Sequence, residues 1–162
     1  MKDILAKDFD GTLADTSKQI IQSFNLSFKK NNLPRVAARK IKARLGTVAE
    51  DIVRKIYPRL SKRKVKRIIS DKEKLEDYSN VKLKKGTKKG LIYLKSKYDL
   101  AIVSNENHQT IVTTLNNLGI NPRLFKAIVA YDDVKKGKPN PEPLKKLEHA
   151  LKQKIIALIG DT

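Results

Sequence analysis

The chain reads Asp8-Phe9-Asp10-Gly11-Thr12-Leu13 directly after the apolar stretch Ile4-Leu5-Ala6, which predicts a short buried strand. Asp8 and Asp10 point the same way, because side chains of extended chain alternate with period two. Gly11 then lets the backbone turn sharply. We therefore expect two carboxylates in a crevice at a strand end, where open α/β sheets usually bind ligands. Such a pair can hold a divalent cation, and one carboxylate can attack phosphorus while the other moves a proton.

A lone D-x-D-G sequence also occurs in ordinary turns and in calcium-binding loops. The calcium-loop pattern fails here, because no acidic ligand follows at the remaining loop positions and no Glu closes the loop. If the two carboxylates are catalytic, other parts of the chain must supply groups that bind phosphate or metal. If they do not, the stretch is a plain turn.

The composition of the chain limits which kinds of protein it can be. The 162 residues suffice for one ordinary domain, or for a small core with an inserted module. Hydrophobic residues make up 40% and charged residues 33%, which is typical of a soluble protein that buries a core. The absence of Cys excludes disulfides, thiol catalysis and zinc–thiolate sites. No apolar run is long enough for a membrane span or a signal peptide, so we predict a cytoplasmic protein without a membrane partner.

The net charge of +19 is concentrated in the middle of the chain. Residues 16–86 hold 21 of the 36 Lys and Arg residues but only 6 of the 17 Asp and Glu residues. Such a surface attracts anions, either phosphorylated metabolites or nucleic acid. No aromatic residue interleaves with the charges of Ser61-Lys62-Arg63-Lys64-Val65-Lys66-Arg67, so a nucleic-acid partner is an alternative that we do not favour.

Hydrophobic patterns divide the chain into a helical middle and an alternating remainder. Residues 16–86 predict only helices, with no strand. The predicted helices begin at Thr16 or Ser17, cover Val36–Leu45 and Ala49–Ile56, and include one or two more within Ser61–Tyr78. Outside this segment, helices alternate with four predicted strands, which are Asp3–Lys7, Asp99–Val103, Lys126–Ala130 and Ile155–Ile159. The fold class is therefore α/β, a parallel sheet core formed by residues 1–15 and 87–162 with an inserted all-helical cap at 16–86.

Three further polar residues follow predicted core elements. Ser104 comes after the second strand, Lys138 lies within Gly137-Lys138-Pro139-Asn140-Pro141, and Asp161 follows the fourth strand. Each is weak evidence alone, because Ser, Lys and Gly-Asp are common at such places. Taken together, their order and spacing fit the motifs of one known family.

These stretches resemble the four motifs of the haloacid dehalogenase-like phosphohydrolases, whose core is a Rossmann-like sheet. Asp8–Thr16 matches the first motif, D-x-D-G-T-L-x-D-[ST], at every fixed position. Val103-Ser104-Asn105 resembles the second motif, Gly137–Pro141 the third in its G-K-P-x-P form, and Ile159-Gly160-Asp161 the start of the fourth. The insertion looks like the helical cap of the phosphoglycolate phosphatase and β-phosphoglucomutase branch.

The resemblance implies a role for each site residue. Asp8 would attack phosphorus, Asp10 would act as general acid and base, and Lys138 would complete the catalytic set. Magnesium would be held by Asp8, by Asp10 through its carbonyl, and by Asp161. The phosphoryl group would lie against Ser104, Asn105, Gly11 and Thr12. Arg44, Gly46 and Thr47, in a stretch similar to the substrate-facing loop of the cap, would contact substrate.

The resemblance leaves alternatives open. The family's fourth motif usually runs G-D-x-x-x-D, whereas this chain stops at Thr162. We therefore expect either that the core is truncated after the fourth strand, or that a partner such as a second copy covers the apolar edge Ile155–Ile159. The leading hypothesis is a Mg²⁺-dependent phosphatase acting on a small phosphorylated metabolite. The alternatives are a phosphomutase of the same family, a truncated inactive homologue, or a basic nucleic-acid-binding module.

Overall fold

The computed structural model describes residues 2–160. Its strands are β1 (Ile4–Lys7), β2 (Ala14–Asp15), β3 (Lys82–Leu83), β4 (Asp99–Val103), β5 (Phe125–Val129) and β6 (Ile155–Ile159). Its α-helices are α1 (Ser17–Lys30), α2 (Ala38–Lys42), α3 (Ala49–Ile56), α4 (Lys62–Lys74), α5 (Thr87–Lys97), α6 (His108–Asn117) and α7 (Glu142–Leu151). The central sheet has the order β5-β4-β1-β6 and all its neighbouring strands are parallel, which confirms the predicted α/β core.

The central sheet is covered on both faces. Along β4, Leu100 and Ile102 face a cluster that includes Leu91 of α5 and Leu115 of α6. The alternate residues of β4 and β1 face a second cluster that includes Leu147 of α7. A parallel sheet buried on both faces needs apolar residues at every position of its central strands, which explains the uninterrupted runs in β1 and β4.

Helices α1 to α4 share a core of their own. Phe24 and Phe28 of α1 pack with Ile41 of α2 and with Val65 and Ile68 of α4, and all five side chains are buried. The predicted bounds of α3 agree with the structure. Helix α2 is shorter than predicted because hydrogen-bonded turns replace it after Lys42, and α4 ends at Lys74 rather than near Tyr78.

A short antiparallel pair corrects the prediction that residues 16–86 contain no strand. Ala14 pairs with Leu83 and Asp15 with Lys82, at the two points where the chain enters and leaves the helical segment. Strands of two residues are too short to show the alternation by which a strand is predicted.

Strand β6 forms an edge of the sheet in the described part of the chain. Ile156, Leu158 and Ile159 are exposed there, in agreement with the predicted apolar edge. Among the described residues, no helix is both long and apolar enough to cross a membrane.

Candidate active site

Asp8 and Lys138 form a buried ion pair at the carboxyl end of β1. Asp8 is 4% exposed, and its Oδ2 lies 2.6 Å from the Lys138 Nζ. Its Oδ1 accepts a hydrogen bond of 2.7 Å from the Phe9 N–H. The carboxylate is thereby fixed in orientation, and Lys138 offsets its charge.

Asp10 stands two residues further on, and its environment favours the protonated form. Burial, and next the negative charge of Glu106, raise the pKa of Asp10 to about 8. A hydrogen bond of 2.7 Å from the Thr16 hydroxyl to Asp10 Oδ1 opposes this shift. A carboxyl group that holds its proton near neutral pH is suited to general acid catalysis. The Thr16 hydroxyl therefore helps to orient this acid.

The loop after Asp10 is a tight turn that depends on Gly11. Gly11 has a φ of 73°, a conformation that favours glycine. Its N–H donates to the Ala14 carbonyl at 2.8 Å, and the Leu13 and Ala14 N–H groups both donate to the Phe9 carbonyl. In the described chain, neither Gly11 nor Thr12 is among the residues that line the pocket around Asp8. Their contact with a phosphoryl group stays a prediction.

Ser104 and Asn105 follow β4 and lie beside this pair. Ser104 is 2% exposed, and its Oγ accepts a hydrogen bond from the Glu106 N–H at 3.1 Å. The Asn105 side chain joins three parts of the site. Its Nδ2 donates to the carbonyls of Gly46 and Lys138, each at 2.8 Å, and its Oδ1 accepts from the Lys138 N–H at 2.7 Å. Because the side-chain amide is used in this way, contact of Asn105 with phosphate would fall to its backbone N–H.

Gly137 is required by the same arrangement. A Cβ at this position would collide with Asn105 Oδ1 and would lie 2.9 Å from Val48 Cγ1. Only a glycine lets the backbone before Lys138 approach the Asn105 amide this closely. The glycine of the third motif thus has a steric explanation.

The pocket lies between the sheet and the helical segment. Its sheet side comprises Asp8, Asp10, Ser104, Asn105, Glu106 and Lys138. Its other side comprises Ile20, Phe24, Leu45, Gly46, Thr47, Ala49, Ile52 and Lys72. The structure therefore brings Gly46 and Thr47 to the pocket, and their contact with substrate stays a prediction. The Arg44 guanidinium instead donates to the Lys40 carbonyl at 2.6 Å, so its predicted contact with substrate stays a prediction.

Sequence reasoning missed a buried cluster of charges next to Asp10. Lys72 of α4 forms ion pairs with Glu76, which follows the end of that helix, and, at 3.5 Å, with Glu106. The Tyr78 hydroxyl lies within hydrogen-bond distance of both carboxylates, 2.9 Å from Glu76 and 3.0 Å from Glu106, and its single proton can be donated to either. All three charged side chains are at most 7% exposed.

The ionisation of the cluster follows from burial and mutual charge. Burial alone would lower the pKa of Lys72, but the charges of Glu106 and Glu76 outweigh burial and raise it. Burial and the Glu106 charge raise the pKa of Glu76 to about 7. Burial, followed by the Glu106 charge, raises the pKa of Tyr78, so its phenol stays neutral and donates hydrogen bonds. Lys72 is therefore a cation held between acids.

One signal in the sequence could have located Lys72. Val65, Ile68 and Lys72 are spaced three and four residues apart, which places Lys72 on the buried face of a helix. A Lys on such a face needs an acidic partner. Nothing in the sequence indicates that the partner is Glu106, because that contact joins segments far apart along the chain.

The donor groups fit a hard divalent cation. Asp8 offers a carboxylate oxygen and Asp10 its backbone carbonyl oxygen, and Mg²⁺ is commonly held by one or two carboxylates together with other oxygens and substrate. Within residues 2–160, no cluster of three or more His, Cys, Asp or Glu side chains forms a metal site. Asp161, the third predicted ligand, lies outside the described residues.

The model of the haloacid dehalogenase-like hydrolase family matches residues 7–162. The chain belongs to this family. Pyrophosphatase PpaX of Halalkalibacterium halodurans is 29% identical over 160 residues, which are 95% of this chain and 72% of that protein. The family and such relatives support the class of enzyme that the motifs predicted, a phosphatase of the haloacid dehalogenase-like type.

Solved structures of other haloacid dehalogenase-like proteins share the fold. A haloacid dehalogenase-like hydrolase from Bacteroides fragilis superposes with a TM-score of 0.87 at 24% identity, over 94% of this chain and 74% of that one. A predicted phosphoglycolate phosphatase from Haemophilus somnus gives a TM-score of 0.76 at 23% identity, over 94% and 72% of the two chains. At these identities the likeness shows the fold, and it confirms the predicted architecture.

Proposed function

We propose that this haloacid dehalogenase-like hydrolase is a Mg²⁺-dependent phosphatase that hydrolyses a small phosphomonoester through an aspartyl-phosphate intermediate. The observation that carries the proposal is the joint placement of Asp8, Lys138 and Asp10 in one buried pocket. A nucleophile, a cation that neutralises charge, and an acid that retains its proton are the groups that this reaction needs.

In the first step Asp8 attacks the phosphorus. A bond forms between a carboxylate oxygen and phosphorus while the bond from phosphorus to the leaving oxygen breaks. Lys138 reduces the repulsion between the carboxylate and the anionic phosphoryl group. The Ser104 hydroxyl and the adjacent backbone N–H of Asn105 hold phosphoryl oxygens.

Asp10 moves the proton in both steps. It donates its proton to the leaving oxygen, so that the first product departs as a neutral hydroxyl. It then accepts a proton from the water that attacks the aspartyl phosphate. This second attack breaks the bond between phosphorus and the Asp8 oxygen and restores both carboxyl groups.

Magnesium would be held by Asp8, Asp10 and, in the part of the chain that the structure does not describe, Asp161. When bound, it supplies positive charge that stabilises the transition state of phosphoryl transfer. The hard oxygens of the Asp8 carboxylate and the Asp10 backbone carbonyl support this assignment, and they leave the Asp10 carboxyl for proton transfer.

Residues 16–86 are proposed to act as a cap on a core made of residues 1–15 and 87–162. The support is that the helices of this segment share their own apolar core and supply one side of the pocket. The paired strands β2 and β3 join the two parts where the chain crosses between them. Cover of the β6 edge by a second copy stays a prediction.

Phosphate release from an aryl phosphate, with Mg²⁺ and then with a chelator, tests the proposal. We expect hydrolysis that needs Mg²⁺ and that extends to some members of a panel of small phosphomonoesters. Pyrophosphate is tested beside the panel because the relatives are pyrophosphatases, without an expectation that it is hydrolysed. Transfer of the phosphoryl group from Asp8 to an added sugar phosphate, in preference to water, would favour the phosphomutase. Absence of release from every compound in the panel would refute the enzyme assignment.

A further inference from the structure

The pocket continues beyond the groups assigned to the phosphoryl group. Once Asp8, Lys138 and Ser104 hold the phosphoryl group, the leaving group of a bound ester meets the remaining side chains. Most of these are apolar, among them Ile20, Phe24 and Ile52 of the helical segment. Besides Asp10, which serves as the acid, the ionisable side chains are Lys72 and Glu106. The chemistry of the leaving group must therefore match an apolar wall and one buried ion pair.

Glu106 is held in place from several sides. Its Oε1 accepts a hydrogen bond of 2.7 Å from the Asn107 N–H. Its Oε2 accepts the Tyr78 hydroxyl at 3.0 Å and lies 3.5 Å from the Lys72 Nζ. The side chain is 7% exposed, so it can neither turn towards water nor leave the pocket without breaking these contacts.

Lys72 is not a free cation that awaits an anion. Its ammonium is already paired with Glu76 and Glu106, and it lies 5.7 Å from the centre of the Phe24 ring. A leaving group with its own carboxylate or phosphate could approach Lys72 only by displacing Glu106 or by lying directly against it. A buried carboxylate that loses its partner is strongly destabilising, and two like charges would then face each other without solvent.

We propose, on the basis of the proposed function, that Glu106 makes this site select phosphomonoesters whose leaving group carries no second negative charge. A small alcohol or polyol fits this requirement. Its hydroxyl groups can donate to Glu106 and accept from Lys72 without breaking the pair, and its carbon atoms can lie against Phe24 and Ile52. Glu106 thus acts as a specificity-determining residue, and pyrophosphate and phosphoesters of hydroxy acids are disfavoured.

The test compares two esters of nearly equal size. In 2-hydroxyethyl phosphate the leaving group ends in a hydroxyl, whereas in 2-phosphoglycolate it ends in a carboxylate. Binding of each is measured by calorimetry, with Mg²⁺, to the full chain carrying Asp8→Asn, so that turnover does not interfere. We expect 2-hydroxyethyl phosphate to bind at least about tenfold more tightly, because charge discrimination in a buried site exceeds that of a surface pair.

The variant Glu106→Gln is then added to the Asp8→Asn chain. It keeps the size of the side chain and removes the charge, so Lys72 becomes available to an anionic leaving group. We expect the affinity ratio to move at least about tenfold towards 2-phosphoglycolate. The matched control is Glu50→Gln, which removes one negative charge from the surface of α3, where Glu50 pairs with Arg54, and should leave the ratio unchanged.

The outcomes separate this inference from the proposed function. The inference would be overturned if the Asp8→Asn chain bound the two esters equally, bound 2-phosphoglycolate more tightly, or bound neither. It would also be overturned if the affinity ratio were unchanged in a cooperatively folded chain that also carries Glu106→Gln. If Glu106→Gln does not fold, Lys72→Met serves instead. Removing the cation should weaken the binding of 2-phosphoglycolate further. A gain in affinity for 2-phosphoglycolate in this variant would overturn the inference. Hydrolysis of an aryl phosphate by the unaltered chain tests the proposed function alone.

Discussion

The Lys138 ammonium lies 2.6 Å from the Asp8 carboxylate, although 130 residues separate them in the chain. The end of β1 fixes Asp8, and the Asn105 side chain fixes the backbone of Lys138 through two hydrogen bonds. The charge that would repel a phosphate group is therefore offset before substrate arrives. Such preorganisation is what electrostatic catalysis requires.

Replacing Asp10 by Asn should reduce kcat by ~10²–10⁴-fold, the usual range for loss of a general acid and base. Asn cannot transfer a proton, yet it can still accept the Thr16 hydroxyl hydrogen bond, so the fold should be retained. Steady-state kinetics on an aryl phosphate and on an alkyl phosphate measure the effect. The kcat for the alkyl ester should fall further, because its leaving oxygen is more basic.

Asp3→Asn, at an exposed acid near the amino end of β1, is the control. Near-normal kcat with the alkyl ester would exclude Asp10 as the acid.

Replacing Gly137 by Ala should lower both stability and activity. The new methyl group must displace the Asn105 amide, which positions Lys138 and Gly46. We expect a loss of about 1–3 kcal/mol in the free energy of unfolding, as for other overpacked sites, and ~10–10²-fold in kcat/KM.

Gly90 provides the matched control for Gly137. It lies inside α5, and a Cβ there would meet nothing within 4 Å. Gly90→Ala should therefore raise the free energy of unfolding by about 0.5–1 kcal/mol and leave kcat/KM unchanged. Equal effects of the two substitutions, measured by urea denaturation and by kinetics, would contradict the packing described around Asn105.

Replacing Glu76 by Gln should change how stability depends on pH. Burial and the Glu106 charge raise the pKa of Glu76 from its ordinary value of 4.5 to about 7. Between these values the folded chain holds a proton that the unfolded chain has lost, so this group makes the fold less stable as pH rises. Glutamine does not titrate, so the Glu76→Gln chain lacks this loss. The difference in stability between Glu76→Gln and the unaltered chain should therefore rise in favour of the variant from pH 4.5 to about 7, by at most ~1.4 kcal/mol per pH unit. Above pH 7 the difference should stay constant.

Urea denaturation followed by circular dichroism at pH 5, 6, 7 and 8 measures this difference. The substitution also changes uncharged packing and hydrogen bonds of this side chain, which adds an offset to the stability that does not vary with pH. A difference in stability that stays the same at all four pH values would show that Glu76 is ionised throughout.

The sheet and the ends of its strands could be predicted because they depend on local pattern. Apolar runs such as Ile4-Leu5-Ala6 predict buried parallel strands, and parallel strands place the residues that follow them at one edge. The sequence therefore explains why Asp8 and Ser104 line the same pocket.

The Lys72, Glu106 and Tyr78 cluster could not be predicted in the same way. Its contacts join α4, the segment after α4 and the loop after β4, and no periodicity within any one segment reports such contacts. The pairing of β2 with β3 was missed for a related reason, since strands of two residues carry no pattern. The role of Arg44 was predicted from resemblance alone and stays a prediction; its guanidinium contacts the carbonyl of Lys40.

Covalent labelling of Asp8 tests the central claim most directly. The chain is mixed with a phosphomonoester labelled at phosphorus in the presence of Mg²⁺ and quenched in acid, which preserves acyl phosphates, and the labelled peptide is identified by mass spectrometry. We expect the label on the peptide containing Asp8, in amounts that rise before phosphate is released. Asp8→Asn should carry no label and release no phosphate, while remaining folded. Hydrolysis that continues without a labelled peptide, or in the Asp8→Asn chain, would contradict the aspartyl-phosphate mechanism.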